Sequence, residues 1–225
     1  AMLDAAWDCY LSTDQADFYL FQEGRPYPGA EEGHLFWNEI GGKRDWGSGI
    51  YSPSWEVIEE NIDSPFKGAL TIANTIMGGR AMTLVSIYGL MESAGSAKGY
   101  SITNLHRMFS DLTGLLNGHM GGKRDIILGG DLNASTQFDE VQNNCSHELL
   151  FARIADFGLL DAHTLAGNQS HARTLRRPDS DKPWQNDYLF LSKSLAKGFK
   201  SYEVIDTPSI RQFSDHNMVV LELEL

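Results

Sequence analysis

Several apolar runs of this chain end in residues that do acid–base or ligand chemistry. "YLFQE" ends in Glu23, "LVSIY" in Tyr88 and "IILGGDLN" in Asp131 and Asn133. "NDYLFLS" carries Asp187 at its start, and "SDH" places Asp215 and His216 just ahead of the last apolar run. Taken singly, each has a plainer reading: a solvated strand-end glutamate, a core tyrosine, a Gly-Asp-Asn turn, a surface Asp-His turn. Together they are an inventory for hydrolysing a phosphate ester. A hard divalent cation such as Mg²⁺ needs one or two carboxylates and keeps its waters, and Glu23 is a candidate ligand. Asp131 suits a base or orienting carboxylate for an attacking water, with Asn133 holding geometry. His216 and Tyr88 can donate to charge developing on a phosphate. A histidine in that role needs a partner to fix its tautomer, and Asp187 or Asp215 can serve.

Residues so far apart in sequence meet only if strands deliver them to one edge of a sheet. The periodicity predicts this. "LDAAWDCYLSTD" has helical spacing at Leu3, Ala6, Trp7, Tyr10 and Leu11. "ADFYLFQEG" reads as a buried strand, "RPYPGAEEG" as a loop, and "WGSGIYS" as a short strand with glycines. "GALTIANTIMGGRAMTLVSIYG" reads as two strands joined around Met-Gly-Gly. "SITNLHRMFSDLTGLLNG" is the clearest helix, with Ile102, Leu105, Phe109, Leu112 and Leu116 in one stripe. "HELLFARIADFG" is another, with Leu150, Ile154 and Phe157 on one face and Gly158 as its C-cap. Strands return in "NDYLFLS", "YEVID" and "HNMVVLELEL", the last alternating Val219, Leu221, Leu223 and Leu225 against Glu222 and Glu224. Runs of strands with intervening helices predict an α/β sandwich on mixed or antiparallel sheets.

Composition narrows the function classes. The 225 residues, 42% hydrophobic and 21% charged, are expected to form one domain, 1–225, without repeats or a long linker. A net charge of −12 is a poor footprint for nonspecific nucleic-acid binding, although a divalent metal would change the sign of a site. The two cysteines, Cys9 and Cys145, make neither a disulfide framework nor a metal cluster. That predicts a reducing, cytoplasmic setting. No run reaches transmembrane length, and no signal segment opens the chain. Ala1 and Met2 read as remnants of expression.

The ordered set "LFQE", "GSGIYS", "VSIYG", "GGDLNAS", "NDYLFLS" and "SDHNMVVLEL" resembles the endonuclease/exonuclease/phosphatase superfamily over nearly the whole chain, from about Ala16 to Leu225. The resemblance implies a DNase I-like four-layered α/β sandwich, two mostly antiparallel sheets flanked by helices. It implies Glu23 as a metal ligand with Asp215 near the metal, Tyr88 on the phosphate, and Asp131 positioning or deprotonating water. Asn133 would hold the phosphate or that water, and Asp187 would pair with His216, which stabilises developing charge. Family members place a strand ending in asparagine ahead of the first helix. This chain opens at that helix, so the first strand is expected to be absent.

The resemblance further implies a Mg²⁺-dependent phosphodiester hydrolase, with Mn²⁺ as an alternative, acting on nucleic acid, DNA before RNA. No membrane and no obligate protein partner are expected. The stretch before Asp187 departs from abasic-site endonucleases. It offers Arg173, Arg176, Arg177 and Lys182 for phosphates and Trp184 for base stacking, against the alternative of a solvated loop. A phosphatase on a small or lipid phosphate is the second enzyme reading. A binding protein of impaired catalysis, lacking the first strand, is the third. No other histidine has zinc-ligand spacing, and His163 and His171 are expected at the surface, with lining a cleft as the alternative.

Overall fold

The computed structural model describes residues 4–41, 45–93, 100–120, 122, 124–142, 144–178 and 180–225. Helix α1 (Asp4–Thr13) is followed by strands β1 (Tyr19–Gly24), β2 (Leu35–Glu39), β3 (Gly47–Tyr51), β4 (Ile58–Glu59), β5 (Leu70–Met77) and β6 (Arg80–Ile87). A short ribbon, β7 (Glu92–Ser93) and β8 (Tyr100–Ser101), precedes α2 (Thr103–Asp111) and α3 (Thr113–Met120). Then come β9 (Asp125–Asp131), α4 (Thr136–Gln142), α5 (Ser146–Asp156), β10 (Leu159–Asp161) and α6 (Ala162–Leu165). The last part contains β11 (Leu175–Arg177), β12 (Ser180–Trp184), β13 (Asp187–Ser192), β14 (Phe199–Ile205) and β15 (Met218–Leu223).

The central sheet has the order β10-β13-β9-β6-β5-β4 and is antiparallel except for the β6–β9 pair. Both of its faces are covered, so its middle strands read as near-continuous apolar runs. Alternate residues face opposite ways. Val85, Ile87, Ile126 and Leu128 point into a core with Leu105, Phe109 and Leu112 of the helical layer and Leu150 and Ile154 of α5. Leu84 and Ile127 point the other way, toward Ile50, Leu20 and Phe36 of a second β layer. That layer holds a three-stranded sheet, β1-β3-β2, and the β14–β15 hairpin, whose Leu221 and Leu223 pack with Met82 and Leu191. Helix α1 forms the outer layer. Its Trp7 is 1% exposed, lies edge-on to Phe21 at 4.8 Å, and donates its indole N–H to the Arg25 carbonyl. The result is the expected four-layered α/β sandwich.

Details differ from the sequence expectation. The long helix divides at Leu112 into α2 and α3, although its whole predicted stripe is buried. Leu3, the first residue of the predicted opening helix, lies outside the described residues. Strand β2 was not expected. Four of its five residues are half-buried, so the run lacks a clean two-residue alternation. The basic stretch before Asp187 is not a loop but the β11–β12 hairpin.

Candidate active site

Strand β9 ends where antiparallel β13 begins, and Asp131 stands directly opposite Asp187 in the register. Two carboxylates are therefore forced side by side at one sheet edge. Gly129 and Gly130 bring β9 to that point. Gly130 has φ +140, and a Cβ on it would lie 2.2 Å from the Ile87 carbonyl oxygen and 2.7 Å from Gln22 Nε2. One on Gly129 would lie 2.4 Å from a Leu189 methyl. The glycines thus admit neighbouring protein closely to the strand.

Beyond Asp131 the chain turns sharply. Asn133 sits at φ 48, donates its backbone N–H to Asp131 Oδ1 at 2.8 Å, and donates its amide to Asp131 Oδ2 at 3.1 Å and to the Gly89 carbonyl at 3.2 Å. "GDLN" is therefore both a turn and a device that fixes one carboxylate. His216 reaches the same place from the segment before β15. Its Nδ1 is 2.8 Å from Asp187 Oδ2, and its Nε2 is 3.9 Å from Asp131 Oδ2. Of the two partners the sequence left open for His216, the structure brings Asp187 to the ring. Asp215 is exposed, and its backbone carbonyl accepts the Arg176 N–H.

Glu23 arrives on β1 through an irregularity. Between Phe21 and Gly24 the pairing with β3 shifts register by one residue, a bulge that re-aims side chains. Glu23 there takes φ 52, and it and Asn133 are the only non-glycine residues with positive φ among the described ones. Such strain persists where the surroundings over-determine it, often at functional sites. The bulge divides labour. Gln22 turns inward, donating to Ser86 Oγ at 2.8 Å and accepting the Asp131 N–H at 3.2 Å. Glu23 turns out to accept the Tyr88 hydroxyl at 2.5 Å, and Trp46 packs edge-on against that tyrosine at 5.4 Å.

The charges of this edge bias each other. Burial first, then the neighbouring Asp187 charge, push Asp131 up to about 7, against the pull of His216 and the Asn133 N–H. Burial opposes a charge on His216, but Asp187, by charge and hydrogen bond, and then Asp131 and Asp215 outweigh it and raise the imidazole to about 10. Burial, with the Glu23 carboxylate as its hydrogen-bond partner, raises Tyr88 and keeps it a phenol. At neutral pH the site thus offers an imidazolium, a hydroxyl and a carboxyl poised to take or give a proton.

Ligand atoms of Asp131, Asp187 and His216 lie within 4.8 Å of one another, and neither Glu23 nor Asp215 joins that group. The three could hold a metal ion only with His216 neutral, since a ligating imidazole must be unprotonated. The ion pair with Asp187 favours the opposite state. Glu23 fits a hard cation better. It is an exposed carboxylate whose charge reaches Asp131, and oxygen donors with room for waters are what Mg²⁺ requires.

The substrate-binding residues expected in the basic stretch do not share one fate. Arg173 is exposed and donates to the Ser180 carbonyl at 3.3 Å. Arg176 is spent on the protein itself, donating to the Ser214 carbonyl and Asn217 Oδ1 and pairing with Asp206 at 3.4 Å. Trp184 is no stacking platform. It is 7% exposed, stacked on Phe138 at 5.0 Å, with Arg177 and Lys182 over its ring at 5.4 and 5.0 Å. Arg176 and Arg177 join Arg211, Ser214 and Asp215 around an open hollow of about 490 Å³ beside the His216 segment. His163 and His171 line a separate cleft of about 300 Å³ against α5 and β13. Sequence reasoning missed Gln22 and Thr174, the latter a buried hydroxyl behind Asp187. Gln22 was detectable as the neighbour of Glu23 on the opposite strand face, whereas nothing in the sequence marks Thr174.

No family model and no curated protein sequence matches the chain. Solved structures do. The endonuclease domain of TRAS1, a telomere-specific non-LTR retrotransposon, superposes with a TM-score of 0.66 at 21% identity, over 99% of this chain and 91% of that one. The 3′ phosphatase NExo from Neisseria, bound to a product DNA hairpin, superposes at 0.69 with 15% identity over 97% and 93%. An AP endonuclease from Archaeoglobus fulgidus superposes at 0.66 with 16% identity over 96% and 92%. Over nearly its whole length, the chain has the endonuclease/exonuclease/phosphatase fold.

Proposed function

We propose that this protein is a metal-dependent phosphodiesterase that cleaves nucleic acid, DNA in preference to RNA. One observation carries the reading: Asp131, Asn133, Asp187 and His216 converge at one sheet edge, with the strained Glu23 and its Tyr88 partner at the same edge. Asp131 accepts a proton from the attacking water, whose oxygen bonds to phosphorus as the opposite phosphorus–oxygen bond breaks. His216, held by Asp187, and Tyr88 donate to the phosphate oxygens as charge builds. Glu23 would hold a divalent cation, Mg²⁺ or Mn²⁺, which when bound would supply positive charge to the phosphoryl group. Arg173, just ahead of the β11–β12 hairpin, and Arg177, on it, contact neighbouring phosphates.

The test is cleavage of an end-labelled DNA oligonucleotide in millimolar Mg²⁺. Activity is expected to vanish in chelator and to fall about 10³-fold or more in Asp131→Ala and His216→Ala. Hydrolysis of small phosphate monoesters with DNA and RNA left intact would overturn the nuclease assignment. A phosphatase is the second reading, favoured by one observation: the superposed Neisseria enzyme is a 3′ phosphatase. Release of phosphate from a 3′-phosphorylated oligonucleotide, without chain cleavage, separates the two.

A further inference from the structure

Thr174 is completely buried, and none of its contacts is explained by the chemistry assigned so far. Its Oγ1 accepts two backbone N–H groups, from Asn186 at 2.9 Å and from Asp187 at 3.0 Å. Its backbone carbonyl accepts the Asn217 N–H at 2.7 Å, and its own N–H donates to the Trp184 carbonyl at 3.0 Å. Leu175, the next residue, forms an isolated antiparallel bridge with His216. Every polar contact of this residue therefore lands beside one member of the Asp187–His216 pair or on the hairpin that leads into it.

The other half of the site hangs on the same point. The Asn186 carbonyl accepts the Leu132 N–H at 2.9 Å, and the Asn186 amide donates to Asn133 Oδ1 at 3.4 Å. Asn133 in turn grips both oxygens of Asp131. A chain of short contacts thus runs from one hydroxyl to both carboxylates and to the imidazole.

We propose that Thr174 is a positioning residue, whose hydroxyl sets the backbone at the start of β13 so that Asp187 meets His216 and Asn186 braces Asn133. The inference rests on the hydrolase reading for its catalytic consequence, but its geometric content stands apart from it. The reasoning is physical. The buried Asn186 N–H and the partly buried Asp187 N–H share one acceptor and would both lose it, so the backbone would shift to find water. Displacements on the order of 1 Å in a catalytic constellation cost about 10²-fold in rate.

The test uses two substitutions that separate the hydroxyl from the methyl group. Thr174→Val keeps the volume and loses the acceptor, whereas Thr174→Ser keeps the acceptor and loses the methyl. On an oligonucleotide substrate, Thr174→Val is expected to lower kcat roughly 10- to 100-fold with KM changed less than about twofold, and Thr174→Ser to stay within about threefold of the parent. Both changes remove packing or bonding and lower the melting temperature, so loss of activity that follows stability rather than the hydroxyl would overturn the proposal. Amide hydrogen exchange supplies the second readout. The amides of Asn186 and Asp187 are expected to be protected in the parent protein, and selectively deprotected in Thr174→Val. Fast exchange of both in the parent overturns the proposal even where Thr174→Val does not fold. A parent inactive on every phosphoester but showing this exchange pattern would overturn the hydrolase reading and leave the positioning role in place.

Discussion

Asp131 and His216 are pushed in the same direction for different reasons, and the pH dependence of the reaction follows from both. Burial and Asp187 raise the Asp131 carboxyl to about 7, so its base form accumulates only as pH rises through that value. Asp187 keeps His216 protonated until about 10 despite burial. A bell-shaped kcat/KM profile is expected, rising near 7 and falling near 10, with the two limbs belonging to the linked pair. Steady-state rates from pH 5 to 11 check this. Asp131→Asn should abolish the rising limb together with nearly all activity, whereas a profile already flat at pH 5.5 would contradict the assignment of Asp131 as base. At this scale the sequence was informative about residue types. Of the two partners it left open for His216, Asp187 is the one at the ring. It could not show that Trp184 is stacked away from solvent or that the Arg176 guanidinium is occupied, because burial and side-chain pairing depend on what folds over a residue.

The elements that carry these residues depend on a few fixed joints. Helix α5 starts close behind the Asn133 turn, and Asp139 of α4 caps it, accepting the His147 N–H at 3.0 Å and the Glu148 N–H at 2.7 Å. His147 then accepts the Ser135 N–H at 3.2 Å, two residues beyond Asn133. Removing the cap leaves orphan donors at a helix N-terminus. Asp139→Ala is expected to cost about 1–2 kcal/mol in urea-induced unfolding, with a smaller fall in kcat than any direct site substitution. Loss below about 0.3 kcal/mol would mean that solvent replaces the cap. The strand-glycine-glycine-acid pattern made β9 readable, and Met-Gly-Gly marked the β5–β6 hairpin, where Gly78 and Gly79 take φ 59 and φ 79. The β11–β12 hairpin and β2 were not readable. Both run through mixed polar and apolar residues whose pairing is settled by neighbours rather than by local periodicity.

Across the whole molecule, stability is distributed among layers, and the outermost is the thinnest. Helix α1 is ten residues long and is held chiefly through Trp7, which contacts Phe21, Tyr27 and Tyr51 with ring centroids 4.8, 5.4 and 5.7 Å away. Phe21 directly precedes the bulge that aims Gln22 and Glu23. Trp7→Ala should cost about 3–5 kcal/mol, measured as a shift in the urea midpoint. If Glu23 holds the cation as proposed, the same substitution should raise the Mg²⁺ concentration needed for half-maximal activity, because β1 loses its backing. A stable variant with an unchanged metal requirement would show that β3 alone holds β1.

The sequence by itself determined the layers and the chemical inventory. Apolar periodicity is local, and a central sheet buried on both faces writes it continuously into β5, β6 and β9. The acids, amide and histidine stand at strand ends for anyone to count. Only the tertiary structure decided which of them meet. Asp131 faces Asp187 because β9 and β13 run antiparallel in that register, and His216 joins them because β15 begins where it does. The bulge that turns Glu23 outward, the reason for the two glycines, and the buried Thr174 hydroxyl belong to the same class. Each is a contact between segments 12 or more residues apart, and no local pattern encodes its partner.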